Sequence, residues 1–201
     1  MNASIIGIWI SKDSKGKEVS RYSFSAENTY RCEERMDDNT WQITHQGQYK
    51  YAEKMLSLQY GDGIWYNMGY VGVDEQHMVQ GFRRTASGEG IEGTWRLDSS
   101  GLVFRNMQPR LRDHRITVNF AKGVMSGTDE YIVNGQSEGT SSFKGKYTLG
   151  TNNTIVISEA DNVPTLFLEN GQKTVYIIDD VLCPVDDITI ASLFTRVPSK
   201  G

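Results

Sequence analysis

The chain has 201 residues but only two cysteines, four prolines and three histidines, and each scarcity excludes something. Cys32 and Cys183 stand 151 positions apart in no metal-like spacing, so both read as small, reduced hydrophobes. His45, His77 and His114 lie far from one another, and no His-Glu-x-x-His pattern supports a zinc site. No cofactor or metal is expected. No apolar run reaches the roughly 18 residues of a spanning helix. Met1 to Gly7 lacks the basic start and apolar run of a secretory signal, so a cytoplasmic location is expected. The 21 basic and 25 acidic residues give a net charge of −4, which recommends neither nucleic acid nor an anionic surface as partner.

What is plentiful is glycine, 20 residues, together with aromatics at 10%. Many turns with few prolines suit an antiparallel β protein. Local periodicity agrees. Tyr30, Cys32 and Glu34 alternate with Arg31, Glu33 and Arg35, and Ile116, Val118 and Phe120 alternate with Thr117 and Asn119. This is period two, the mark of strands with two unlike faces. Turn signals such as Lys15-Gly16-Lys17, Gly61-Asp62-Gly63 and Asn134-Gly135 separate these runs. Asn106 to Arg112 has room for one helical turn, and no long amphipathic helix is expected.

Several segments occur twice in the same order. Gly7-Ile8-Trp9 returns as Gly93-Thr94-Trp95, and Gly47-Gln48-Tyr49 as Gly145-Lys146-Tyr147. The apolar run Met55 to Leu58 is echoed by Thr154 to Ile157. Phe82-Arg83-Arg84 closes the first copy and Phe194-Thr195-Arg196 the second. The small, polar stretch from Thr85 to Gly90 divides them, giving residues 1–88 and 89–201 as the expected repeats. Gly88 to Gly93 has the letters of a dinucleotide fingerprint, but a strand follows it where that motif needs a helix, so it reads as linker.

A Gly-x-Trp opening, aromatic strands and a final strand carrying Phe and Arg resemble the lipocalin-like (calycin) β-barrels. The resemblance implies an antiparallel barrel whose first-strand tryptophan packs under an arginine of its last strand. Trp9 is thus expected to meet Arg84 or Arg83, and Trp95 to meet Arg196. A guanidinium can stack on an indole while its donors satisfy nearby carbonyls. The fold expected is all-β with two barrel lobes; one larger merged barrel is the alternative.

Trp41, Tyr49, Tyr51, Trp65, Tyr66 and Tyr70 are the candidate ligand-binding residues, because aromatic side chains give a pocket apolar area with polar handles. The candidate catalytic groups are His45, Tyr66, Glu33 and Asp129. A carboxylate or imidazole turned inward among apolar groups has its proton affinity shifted by burial. Serines are scattered through turns, so a Ser-His-Asp hydrolase is not expected. Arg105, Arg110, Arg112 and Arg115, with His114, form the one local basic concentration, read as a solvated connection or as a patch for an anionic ligand or partner.

The leading functional expectation is binding of a small, apolar or amphipathic molecule inside a barrel. The alternatives are a cofactor-independent isomerase, cyclase or lyase acting by confinement, and an interaction or inhibitor module with a filled interior.

Overall fold

A computed structural model of the chain describes residues 4–105, 107–152, 154–164, 167, 172–185 and 193–198. Among these, fifteen strands form a continuous antiparallel sheet. They are β1 (Gly7–Lys12), β2 (Glu18–Phe24), β3 (Thr29–Arg35), β4 (Trp41–Ala52), β5 (Met55–Gln59), β6 (Trp65–Val73) and β7 (His77–Arg84). There follow β8 (Gly93–Arg105), β9 (Gln108–Ala121), β10 (Val124–Val133), β11 (Gln136–Leu149) and β12 (Thr154–Asp161). The last are β13 (Gln172–Ile178), β14 (Val181–Val185) and β15 (Leu193–Arg196). Gln108 to Arg112, where a helical turn had room, belongs to β9; Leu102↔Leu111 and Phe104↔Pro109 pair it to β8 as a hairpin. No helix among the described residues is long and apolar enough to cross a membrane.

The sheet closes on itself twice. One circuit of eight strands runs β7-β15-β1-β2-β3-β4-β5-β6 and returns to β7. The other runs β7-β8-β9-β10-β11-β12-β13-β14 and returns to the same strand. Closure removes the free edges that an open sheet would expose. Strand β7 serves both rings in succession. His77 to Val79 pair with β15, and Tyr70↔Gly81 through Val73↔Met78 pair it with β6. Farther along, Phe82 and Arg83 pair with β14 while Arg83 and Arg84 pair with β8. Gly81 sits at the crossing, where a Cβ would come 2.1 Å from the Leu182 carbonyl oxygen. Only glycine lets the two backbones approach so closely.

The expected tryptophan–arginine partners are therefore exchanged. Arg196 lies 4.2 Å over the Trp9 ring, and Arg84 lies 4.0 Å over Trp95. The two sites are otherwise alike. Trp9 Nε1 donates to the Ile5 carbonyl at 2.7 Å and Trp95 Nε1 to Ile91 at 2.8 Å. Arg196 donates to the carbonyls of Ser4 and Ile6, and Arg84 to those of Gly90 and Glu92. The glycines resembling a dinucleotide loop thus supply acceptors for a guanidinium. The physical reason for the exchange is that β7 runs straight on past Gly81, so its closing phenylalanine and arginine arrive in the other ring. Phe82 is buried with Trp95, whereas Phe194 is buried with Trp9. A division at residue 88 separates the meanders β1–β7 and β8–β14, but β15 lies in the ring of the first.

Each ring has its own core. Trp9, Phe24, Leu56, Leu58, Val71 and Phe194 belong to the first, and Trp95, Val118, Phe120, Phe143, Ile155 and Phe82 to the second. A seam of Tyr70, Val79, Val181 and Cys183 joins them. Both cysteines are buried. Across the seam Tyr70 Oη donates to Asp98 Oδ2 at 2.7 Å, and Asn67 N donates to Ser100 Oγ at 2.6 Å.

Candidate functional site

The first ring is filled. The cavity among Phe24, Leu58, Val71, Met78 and Phe194 holds about 10 Å³, no more than the ~10–15 Å³ that a single water needs. Above this packed middle lies a polar aromatic layer. Tyr22 Oη is 3.5 Å from His45 Nε2, and the His45 ring meets Tyr60 edge-on at 5.2 Å between centroids. Tyr60 contacts Tyr66 at 4.9 Å, and Tyr66 donates to Asp62 at 2.6 Å. Burial lowers the proton affinity of His45 and, with the neighbouring Cys32, raises that of the Tyr22 hydroxyl. The Tyr66 phenol is pushed up to about 12 by desolvation and its bond to Asp62.

The other residues singled out from sequence do not converge there. Trp41 lies half-buried beneath Arg21 at 4.5 Å, and Lys50 covers Trp65 at 3.8 Å. Tyr49 and Tyr51 are wedged into the first core with their hydroxyls on the carbonyls of Ser25 and Val71. Tyr70 belongs to the seam, with Arg83 4.7 Å over its ring. Glu33 pairs with Arg31 at 2.6 Å. Of the six aromatic candidates, only Tyr66 joins the His45 layer.

The second ring opens differently. Ile116, Val118 and Phe120 turn alternate positions of β9 into its core, and the same face continues outward through His114 and Arg112. On the neighbouring strand Tyr131 stands opposite His114, and Asp129 stands opposite Ile116 on one side and Ser141 on the other. The strands outrun the core, so a polar cluster forms where the ring flares. His114 Nε2 is 2.7 Å from Asp129 Oδ1, with the two side chains 27% and 19% exposed. Tyr131 stacks on the His114 ring at 4.4 Å and 10°, and the Arg112 guanidinium lies 4.3 Å from the same Tyr131 ring. Arg112, Asp129, Tyr131, Glu138, Thr140 and Ser141 line a recess of about 390 Å³.

This arrangement can hold a proton at a defined atom. With Nε2–H donating to the Asp129 carboxylate, the imidazole is fixed in one tautomer and Nδ1 carries the lone pair. Arg112 adds a cation that makes no ion pair with a described residue. Arg115 is spent elsewhere: with Arg96 and Tyr70 it holds Asp98. Burial pushes the Asp98 carboxyl up, but those three donors outweigh it and hold its proton affinity below the ordinary value. Gly135-Gln136-Ser137-Glu138-Gly139 has the letters of a nucleophile elbow, yet it forms the β10–β11 hairpin, and Ser137 Oγ lies 3.5 Å from Thr140 Oγ1. A wider recess of about 760 Å³ crosses β1 to β4, and its one charged side chain, Arg31, is already paired. Among the described residues no group of His, Cys, Asp and Glu could hold a metal.

Asp129 was legible from sequence as a candidate, and Arg112 and His114 as members of a basic patch for an anionic ligand; Tyr131 and the convergence of the four were not. The missing signal was period two on two adjacent strands, which brings 112, 114, 129 and 131 onto one face. Fold and cluster together define the class: an all-β protein of two closed antiparallel rings sharing a strand, with a polar recess at the mouth of the second. Comparison with protein-family models, curated proteins and solved structures gives no match.

Proposed function

We propose that this is a lipocalin-like binding protein that takes a small amphipathic molecule at the mouth of its second ring. The paired Trp–Arg closures support the lipocalin-like reading. The observation that carries the site is Asp129, held by His114 at 2.7 Å, lining a recess of about 390 Å³ together with Tyr131 and Arg112. That volume lies at the lower end of the roughly 300–1,000 Å³ common for ligand sites, whereas the packed interior of the first ring offers about 10 Å³. Tyr131 gives a flat apolar contact, Arg112 recognises an oxygen-rich or anionic end, and Ser141 and Thr140 add hydroxyls.

Native mass spectrometry of freshly purified protein, followed by thermal shifts with fatty acids, terpenoids and polyketides, tests this reading. A ligand that raises the melting temperature should lose at least tenfold in affinity to Arg112→Ala and be indifferent to Trp65→Phe. Equal binding by wild type and Arg112→Ala would remove the site.

The Asp129-fixed imidazole also favours a second reading, a cofactor-independent isomerase, cyclase or lyase in which His114 transfers a proton within a confined substrate. Asp129→Asn keeps the shape but loses tautomer control. It should lower turnover of a bound substrate while leaving its affinity within a few-fold. Unchanged turnover rejects the catalytic reading and leaves the binding one standing.

A further inference from the structure

Beyond the recess, β8 and β9 continue as a ribbon beside which no other strand lies among the described residues. Their mutual pairing runs from Gly101↔Arg112 to Arg105↔Gln108, while β10 leaves β9 at Val133↔Arg112. A two-stranded ribbon is marginal in water without something to pack on. This one exposes apolar groups. Leu102 faces Leu111 and Phe104 faces Pro109 across the ladder, which places these four on one side. Phe104 is 71% exposed and Met107, at the turn, 96%. Residues 101–112 contain three arginines and no acidic residue, on a chain whose net charge is −4.

We propose that this ribbon docks the protein onto an anionic lipid bilayer. The order of groups along it selects that occupant over a protein groove. Met107 leads, Phe104, paired with Pro109, follows two rungs behind, and Arg110 and Arg112 come three and five residues behind Met107 on the returning strand. At about 3.3 Å per residue, the apolar tip reaches the acyl boundary while the guanidiniums stop some 10–16 Å back, at the level of the headgroup phosphates. Aromatic and sulfur side chains at the leading end with arginine behind them match the depth profile of an interface. The acidic remainder of the chain is repelled by the same surface, so the ribbon enters first. Docking in this way brings the mouth of the second ring next to the bilayer.

Sedimentation with phosphatidylcholine vesicles, with and without one third phosphatidylserine, tests this on the full chain without any bound ligand. Wild type should pellet with the anionic vesicles and stay in solution with the neutral ones, and added salt should release it. Phe104→Ser with Met107→Ser should weaken binding at least tenfold, and Arg110→Glu by more than the about fivefold that one basic residue supplies at such a surface. All three positions are exposed, so unchanged melting temperatures will certify folding. Wild type remaining in solution with anionic vesicles, or equal pelleting by the variants, overturns the proposal. So does concentration-dependent dimerisation abolished by the same serine variants, because the ribbon would then be covered by a second copy.

Discussion

Replacing Phe194 with alanine asks which ring the C-terminal strand closes. The side chain is 1% exposed and packs in the first core with Trp9, Phe24 and Leu58, although the preceding strand β14 belongs to the second meander. Truncating a buried phenylalanine costs about 3–5 kcal/mol. At ~1.4 kcal/mol per decade, opening of the first ring should become about a hundredfold to a few thousandfold more frequent. Cys32 reports it directly, because its thiol is 1% exposed inside that ring. Pulse labelling with an alkylating reagent under native conditions, read by mass spectrometry, should show Cys32 accelerated by this factor in Phe194→Ala. Phe82→Ala, which empties the equivalent place in the second ring, should accelerate Cys32 far less. Phe194→Leu supplies a milder variant. Equal acceleration of Cys32 by Phe82→Ala, or none by Phe194→Ala, would refute the crossing of β15 into the first ring.

Three further perturbations follow from the same geometry. Asp98 has its proton affinity held down in the fold, so its contribution is present above the ordinary carboxylate value of 3.8 and is lost as pH falls below it. Asp98→Asn should therefore shift the urea midpoint strongly at pH 7 and much less at pH 3. His45 is kept neutral by burial, so below about pH 6.5 the unfolded chain takes up a proton that the native one refuses, and stability declines with falling pH. His45→Phe should flatten that slope between pH 5 and 6.5 in denaturation curves. Gly81→Ala puts a methyl against the Leu182 carbonyl and should cost roughly 1–3 kcal/mol. At about 2–4 °C per kcal/mol, calorimetry should register the loss.

Much of the strand content could be read from the chain. Period two in Tyr30 to Arg35 and Ile116 to Phe120 placed those strands, and the recurrence of Gly-x-Trp and Phe-x-Arg marked both closures. The pairing between closures could not be read, because nothing local distinguishes a strand that turns back from one that runs on. Gly81 decides it, and its significance lies in the backbone of Leu182, a hundred positions away. The aromatic candidates are dispersed for a related reason. Trp41 and Trp65 carry cations on their rings, Tyr70 fills a seam between rings, and Tyr49 and Tyr51 pack a core. Aromatic richness reports burial before it reports binding. The His114–Asp129 pair depends on the register of two strands, which separates residues fifteen positions apart in sequence by one hydrogen bond.

The site itself is best tested by backbone amide chemical shifts of the labelled protein, titrated with a molecule that raises its melting temperature. The expected result is that the largest changes fall on residues 112–116, 129–131 and 139–141, with those of Tyr22, Tyr30, His45 and Tyr60 nearly still. The opposite pattern, with the tyrosine layer of the first ring moving and the mouth of the second unmoved, would contradict the account.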